Sequence, residues 1–182
     1  MSGHSKWSTI KHKKAVTDAK RANVFTKLGR LISVAAKEGS DPNANLKLKL
    51  AIDQARAANM PKDNIERAIK RGSGEIRGQA DIKEIIYEAF GPGGAMMIIK
   101  TLTDNKNRTV SEIKTILGKY GGKLGGVGSV TWNFKIFGSE YKPKSVMEVD
   151  REVKARYEKL LAALDEQEDV QKVYDNLDSH NS

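Results

Sequence analysis

Residues 84–103 read EIIYEAFGPGGAMMIIKTLT, and this stretch separates two different kinds of chain. Its halves, 84–90 and 95–103, are rich in Ile, Met, Tyr, Phe and Thr, the side chains that suit a pleated, half-buried surface. Between them stands Gly91-Pro92-Gly93-Gly94, a run that breaks any helix and predicts a tight hairpin connection. Two strands joined by so short a link can only be antiparallel, because a parallel pair needs a crossover of a dozen residues or more. Everything before residue 73 has helical spacing, whereas everything after residue 103 mixes helix and strand.

Working outward toward the N-terminus, residues 15–38 place Phe25, Leu28, Leu31, Ile32 and Ala35 on one helical stripe, and Gly39 supplies a stop. Asp41-Pro42 predicts the start of a second helix, which runs to residue 59. Leu48, Ala51, Ile52, Ala55 and Ala58 share one of its faces, while Leu46 and Leu50 lie on the opposite one. A helix apolar on both sides is expected in the middle of a bundle. Met60-Pro61 then breaks the chain. A third helix follows up to Gly72, with Ile65, Ala68 and Ile69 inward and Arg67, Lys70 and Arg71 outward. Residues 73–80, SGEIRGQA, read as a polar linker.

Beyond the hairpin, residues 109–120 return to a helical stripe of Val110, Ile113, Ile116, Leu117 and Tyr120. Residues 129–137 alternate, with Val130, Trp132, Phe134 and Ile136 on one face, and predict a half-buried strand. Residues 138–145 read as a loop and 146–149 as a short strand. Residues 150–164 form a helix with Val153, Tyr157, Leu160 and Leu164 inward, and an acidic run at 165–169 leads to a final strand near 170–176. The predicted fold class is α+β: an N-terminal three-helix bundle with a basic arm, residues 1–77, followed by an antiparallel-sheet α+β domain, residues 78–182, with its helices on one face.

Charge divides at the same boundary. Residues 1–77 hold 17 Lys/Arg against 7 Asp/Glu, a net +10, and residues 78–182 hold 15 against 16, a net −1. The first thirty residues alone contain Lys6, Lys11, Lys13, Lys14, Lys20, Arg21, Lys27 and Arg30 against the single acid Asp18. Like charges clustered this closely repel one another, so a polyanionic partner explains them better than folding does. Trp7, lying between Lys6 and Lys11, suits either stacking on a base or docking the arm onto the body, and His12 sits among the lysines. Lys13, Lys20 and Lys27 recur every seventh residue and define a basic ridge on the first helix, pointing away from the core. Arg21 aligns instead with the apolar stripe.

Other chemistry is poorly supported. Cysteine is absent, which removes disulfides, thiolate metal sites and cysteine nucleophiles. His4, His12 and His180 sit at no metal-ligand spacing, and no catalytic motif occurs. The expectation is a non-enzyme without cofactor, metal or small-molecule substrate. No apolar run approaches the roughly 18 to 20 residues of a membrane span, so a cytoplasmic protein without a membrane partner is expected. The glycines at 118, 121, 122, 125, 126 and 128 read as a helix stop and turn, with backbone contact to nucleic acid as the alternative. Asn107 or Thr109 is expected to cap the following helix, and Lys106 and Arg108 to stay exposed, read equally as a solvated helix start or as accessory phosphate contacts.

The motifs MSGHSKW, KHKK, DAKR, FTKL, MPKDNIERAIKRGSG, GPGG, TLTDNKNRT and GKLGGVGSV, in this order and joined later by DEQEDVQKVYDNLD, resemble the YebC/PmpR family. The resemblance implies a helical domain, a central α+β domain and a third α+β domain inserted before the final helix. Here Phe137 is followed almost directly by YKPKSVMEV, so most of that third domain is expected to be missing. It also implies a regulator of gene expression that binds nucleic acid: a DNA-binding transcriptional regulator, or alternatively an RNA-binding translation factor associated with the ribosome and its RNA. The candidate contact residues are Lys6, Trp7, Lys11, His12, Lys13, Lys14, Lys20, Arg21, Lys27, Arg30, Arg67, Lys70, Arg71, Lys106 and Arg108.

Overall fold

The computed structural model describes residues 18–178. Within these residues the chain forms two compact units, one of residues 18–84 with Leu102–Lys106, the other of Ile85–Thr101 and residues 107–178.

The first unit holds α1 (Asp18–Ala36), α2 (Leu46–Ala57) and α3 (Lys62–Gly72). Ile32, Leu48, Ala51, Ile52, Ala55, Met60, Ile65 and Ala68 form its core, with Phe25, Leu28, Leu31 and Ile69 half-buried around them. Helix α1 is the element that packs against both of the others. This corrects the expectation that the second helix sits in the middle: Leu46 and Leu50 are 70% and 53% exposed. Small residues bring α1 and α3 together. Ser33 Oγ donates to the Ala68 carbonyl at 2.8 Å, and a Cβ built on Gly72 would lie 2.1 Å from the Ser33 carbonyl oxygen.

The start of α2 also differs from expectation. Asp41 caps no helix; its carboxylate accepts the Asn43 N–H at 2.9 Å in a local turn. Asn45 is the cap, accepting from Leu48 N at 3.1 Å while its amide donates to the carbonyls of Ala35 and Gly39, each at 2.8 Å. One side chain thereby satisfies orphan groups at the end of α1 and the start of α2, which a carboxylate cannot do.

The second unit is built on a sheet of order β3-β1-β2-β6. Its strands are β1 (Lys83–Phe90), β2 (Met96–Thr103), β3 (Lys123–Leu124) and β6 (Val170–Asp175). β6 runs antiparallel to β2 with Ile98 opposite Tyr174 and Ile99 opposite Val173. The link from β1 to β2 includes a single 3-10 turn at Pro92–Gly94 in which Gly93 adopts φ 74°. Helices α4 (Lys106–Lys119) and α5 (Arg151–Glu166) cover one face of the sheet. Ile113, Leu117, Tyr157, Leu160, Leu161 and Leu164 meet Ala89, Met97, Ile99 and Val173 there, all essentially inaccessible to water. Each fully buried Leu or Ile contributes about 1.5–3 kcal/mol. Asp150 caps α5 by accepting the Val153 N–H at 2.8 Å.

The other face is covered by a hairpin of β4 (Phe134–Phe137) and β5 (Glu140–Pro143). Ile98, Val130, Phe134 and Tyr174 are buried beneath it, and Tyr141 packs edge-on against Tyr174 with ring centroids 5.2 Å apart. Three expectations are corrected here. Residues 129–137 are not one strand: Thr131–Asn133 is a 3-10 turn, and Trp132 and Ile136 are 59% and 66% exposed, although Val130 and Phe134 are buried. The turn breaks the alternation because Asn133 points inward, its side chain bonded to the backbone and hydroxyl of Ser145. Residues 138–145 are a hairpin turn and strand instead of a loop, with Gly138 at φ 61°. Residues 146–149 contribute only a bridge between Met147 and Leu177.

Among the described residues no helix is long and apolar enough to cross a membrane.

Candidate nucleic-acid interface

In the helical unit, α1 and α3 enclose a groove of about 460 Å³, lined by Phe25, Thr26, Arg30, Asn64, Arg67 and Arg71 among others. Three guanidinium groups reach this groove from spacings that the helices impose: Arg67 and Arg71 stand one turn apart on α3, and Arg30 faces them from α1. Their environments differ. Arg30 is only 7% exposed and donates to the Leu102 carbonyl at 3.5 Å. Arg71 donates to the Ala80 carbonyl at 3.0 Å and pairs with Asp104 at 3.2 Å. Arg67 and Lys70 are exposed. The half-buried Arg71 on the wall and the exposed Arg67 one turn before it make a surface that attracts phosphate oxygens, whereas Arg30 is buried behind them.

The proposed ridge on α1 is not uniform. Arg21 is exposed, 3.8 Å from Asp18, and Lys20 is half-buried. Lys27 is only 8% exposed, which corrects the expectation that it points away from the body. At about 100° per residue both positions lie far around α1 from Phe25, and Arg30 stands about 160° from Leu28, so they are buried outside that apolar stripe, Arg30 against the Leu102 carbonyl. Lys6, Trp7, Lys11, His12, Lys13 and Lys14 lie outside the described residues.

Lys106, counted with the helical unit, is exposed at the first residue of α4. Arg108 serves a different purpose from the phosphate contact expected of it. Its Nη2 lies 2.9 and 3.0 Å from the two oxygens of Asp169 and 3.4 Å from Glu168. Asp169 is fully buried, and Thr109 Oγ1 and Gln167 Nε2 also donate to it. A buried carboxylate needs such compensation, so the charge of Arg108 is spent inside the protein.

The glycine-rich turn is likewise committed internally. Glu88, on β1, accepts the N–H of Gly128 on Oε1 at 2.7 Å and those of Val130 and Thr131 on Oε2 at 2.8 and 2.9 Å. Burial raises the pKa of this carboxylate, but the hydrogen bonds from Val130, Gly128 and Thr131 outweigh it and leave the group below its ordinary value. The amides of Gly128, Val130 and Thr131 thus already hold an anion. Sequence reasoning missed Glu88, although an acid within the apolar run IIYEAF was the available signal.

It also missed the outer side of the β4–β5 hairpin. Lys135 lies directly opposite Lys142, and Phe137, next along β4, is 54% exposed with the Lys142 ammonium 5.1 Å from its ring centre.

Comparison with known proteins agrees with this architecture. Residues 5–75 match the TACO1/YebC protein N-terminal domain, and residues 82–140 and 137–177 match the TACO1/YebC second and third domain. A protein of Chlorobaculum parvum named "Probable transcriptional regulatory protein" is 57% identical over 151 residues, covering 82% of this chain and 60% of that protein. One of the same name from Petrotoga mobilis is 52% identical over 149 residues, covering 81% of this chain and 59% of that protein. The chain thus spans about 60% of the length of these relatives. The crystal structure of a conserved hypothetical protein from Aquifex aeolicus superposes with a TM-score of 0.85 at 34% identity, covering 96% of this chain and 97% of that one. On these matches, which between them account for most of its length, the chain belongs to the TACO1/YebC family.

Proposed function

We propose that this protein is a non-enzymatic regulator of gene expression that binds nucleic acid through its helical part, residues 1–77, while residues 78–182 set orientation. The observation that carries this reading is the groove between α1 and α3 with exposed Arg67 and half-buried Arg71 along it, in a segment of net +10. The name given to the relatives, probable transcriptional regulatory protein, supports a role in transcription. A second reading, an RNA-binding translation factor acting at the ribosome, is favoured by the make-up of α3. That helix exposes Lys62, Asp63, Glu66, Arg67 and Lys70, with no exposed Asn or Gln to read base edges. Contacts of this kind follow backbone and shape more than sequence.

The test is binding at graded salt to promoter-length duplex DNA and to ribosomal RNA. Neutralising about five to eight phosphates gives a slope of log K against log salt of about −4 to −7. Arg67→Glu with Lys70→Glu is expected to weaken binding at least tenfold and leave the melting temperature nearly unchanged, since exposed charge changes usually cost within ~0.5 kcal/mol each. A flat salt response rejects the electrostatic basis of the reading. Ribosomes competing far better than promoter DNA would favour translation, and the reverse order transcription.

A further inference from the structure

We propose that the outward face of the β4–β5 hairpin is a second nucleic-acid contact, one that takes unpaired bases of a folded RNA. Resting on the reading above, it narrows the target to a class of structure. The register assigns the two faces. Phe134 pairs with Pro143 and Ile136 with Tyr141; buried Phe134 and half-buried Tyr141, packed on Tyr174, mark the side turned to the sheet, while Ile136, on that same side but nearer the turn, is 66% exposed. Lys135, Phe137, Glu140 and Lys142 therefore occupy the opposite side. Glu140 is engaged by Lys172 at 2.5 Å, which leaves two lysines and an aromatic ring toward solvent.

Folding does not account for this set. Like charges directly opposite each other on paired strands are destabilising, yet Lys135 and Lys142 are such a pair. Lysines do protect sheet edges from aggregation, and Phe137 gives the Lys142 ammonium an aromatic partner 5.1 Å away, but neither purpose calls for Lys135 directly opposite Lys142. The Phe137 ring is exposed, and just before the strand the Trp132 indole is also exposed, held by its Nε1 donating to the Ser129 carbonyl at 3.0 Å. Flat apolar rings interleaved with ammonium groups match a strand whose bases are free to stack and whose phosphates need neutralising. Duplex DNA keeps its bases stacked on one another, whereas folded RNA displays them in loops and bulges. The chemistry of the face therefore selects RNA loops.

The full chain is tested with a labelled RNA stem closed by a uridine-rich loop, and with the same stem as a blunt duplex. Phe137→Leu retains apolar bulk without the ring, and is expected to weaken loop binding roughly tenfold, the scale of one lost base stack. Phe137→Tyr, which keeps an aromatic face, is expected to restore it. Lys135→Gln with Lys142→Gln should reduce the salt slope on the loop by about 1.4, two single-strand phosphates. Blunt-duplex binding should be unchanged in all three variants. Duplex binding that persists while loop binding ignores every hairpin change overturns this inference alone, and leaves the face to an acidic protein partner. Failure of the parent protein to bind either RNA or promoter DNA overturns both this inference and the reading on which it rests.

Discussion

Glu88 and Asp175 are carboxylates in the same unit with opposite electrostatic settings. Glu88 receives three backbone N–H groups and stays below its ordinary pKa despite burial. Asp175 has its pKa raised by burial, only partly offset by the Tyr157 hydroxyl at 2.8 Å and the Leu177 N–H at 3.0 Å. Amide substitution should therefore act unequally at the two sites. Glu88→Gln leaves one oxygen for three donors and turns an NH2 group toward at least one of them, at an expected cost of about 1–3 kcal/mol. The Asp175→Asn amide can still accept from Leu177 and donate to the Tyr157 oxygen, and it has no charge to desolvate, so the expected change is within about 1 kcal/mol. The pH dependences run in opposite directions. Stabilisation from Glu88 is present above the unfolded carboxylate pKa and is lost as pH falls through the lower folded value, so the parent's advantage over Glu88→Gln narrows in acid. Asp175 holds its proton more tightly when folded, so its contribution declines as pH rises through the raised value, and Asp175→Asn gains on the parent over that range. Urea melts at several pH values check both. A Glu88→Gln variant as stable as the parent at neutral pH would remove the carboxylate as the organiser of the turn.

At the scale of elements, the joint between α1 and α2 depends on one amide. Asn45→Ala removes a cap, worth about 1 kcal/mol, and abandons the carbonyls of Ala35 and Gly39 as well. Asn45→Asp keeps a good capping acceptor but points a carboxylate at those two carbonyls. If Asn45 were only a cap, aspartate would be tolerated; as a bridge, it should cost nearly as much as alanine, which thermal melts of the two variants decide. This joint also shows how much of the fold was legible. The three helices and the β1–β2 hairpin follow from spacing and from the punctuation at Gly39, Met60-Pro61 and 91–94, because periodicity reports which side of an element is buried. Whether Asp41 or Asn45 begins α2 depends on carbonyls ten and six residues upstream of Asn45, which no local pattern contains. The break at Thr131–Asn133 has the same origin, since Glu88, more than forty residues earlier in the chain, takes the amides of Val130 and Thr131. The candidate site was legible as charge and not as geometry. Lys27 and Arg30 count as cations in the sequence, but packing buries them, and Asp169 claims Arg108 from a distant segment.

At the scale of the molecule, charge and hydrophobic core are partitioned along the chain in the same way, which predicts that function and folding can be separated by cutting it. Every fully buried residue of the helix-covered core, from Ala89 to Val173, lies within residues 78–182, and so do the buried residues under the β4–β5 hairpin. Expressed alone, this segment should fold, with amide protection through α4, α5 and the centre of β2. Protection should fade toward Leu102, because Leu102–Lys106 belongs to the helical unit, where the Leu102 and Asp104 positions receive Arg30 and Arg71. The fragment has a net charge of −1 against +10 for the part removed. A chain with no excess of cations releases few counterions, so its affinity for duplex DNA should be weak and nearly independent of salt, while the full chain keeps the steep slope of about −4 to −7. Hydrogen exchange and a salt titration on the same preparation decide between the alternatives. Rapid exchange throughout the fragment would mean that its core depends on the helices, and a steep slope retained without residues 1–77 would move the phosphate-binding surface out of the helical part altogether.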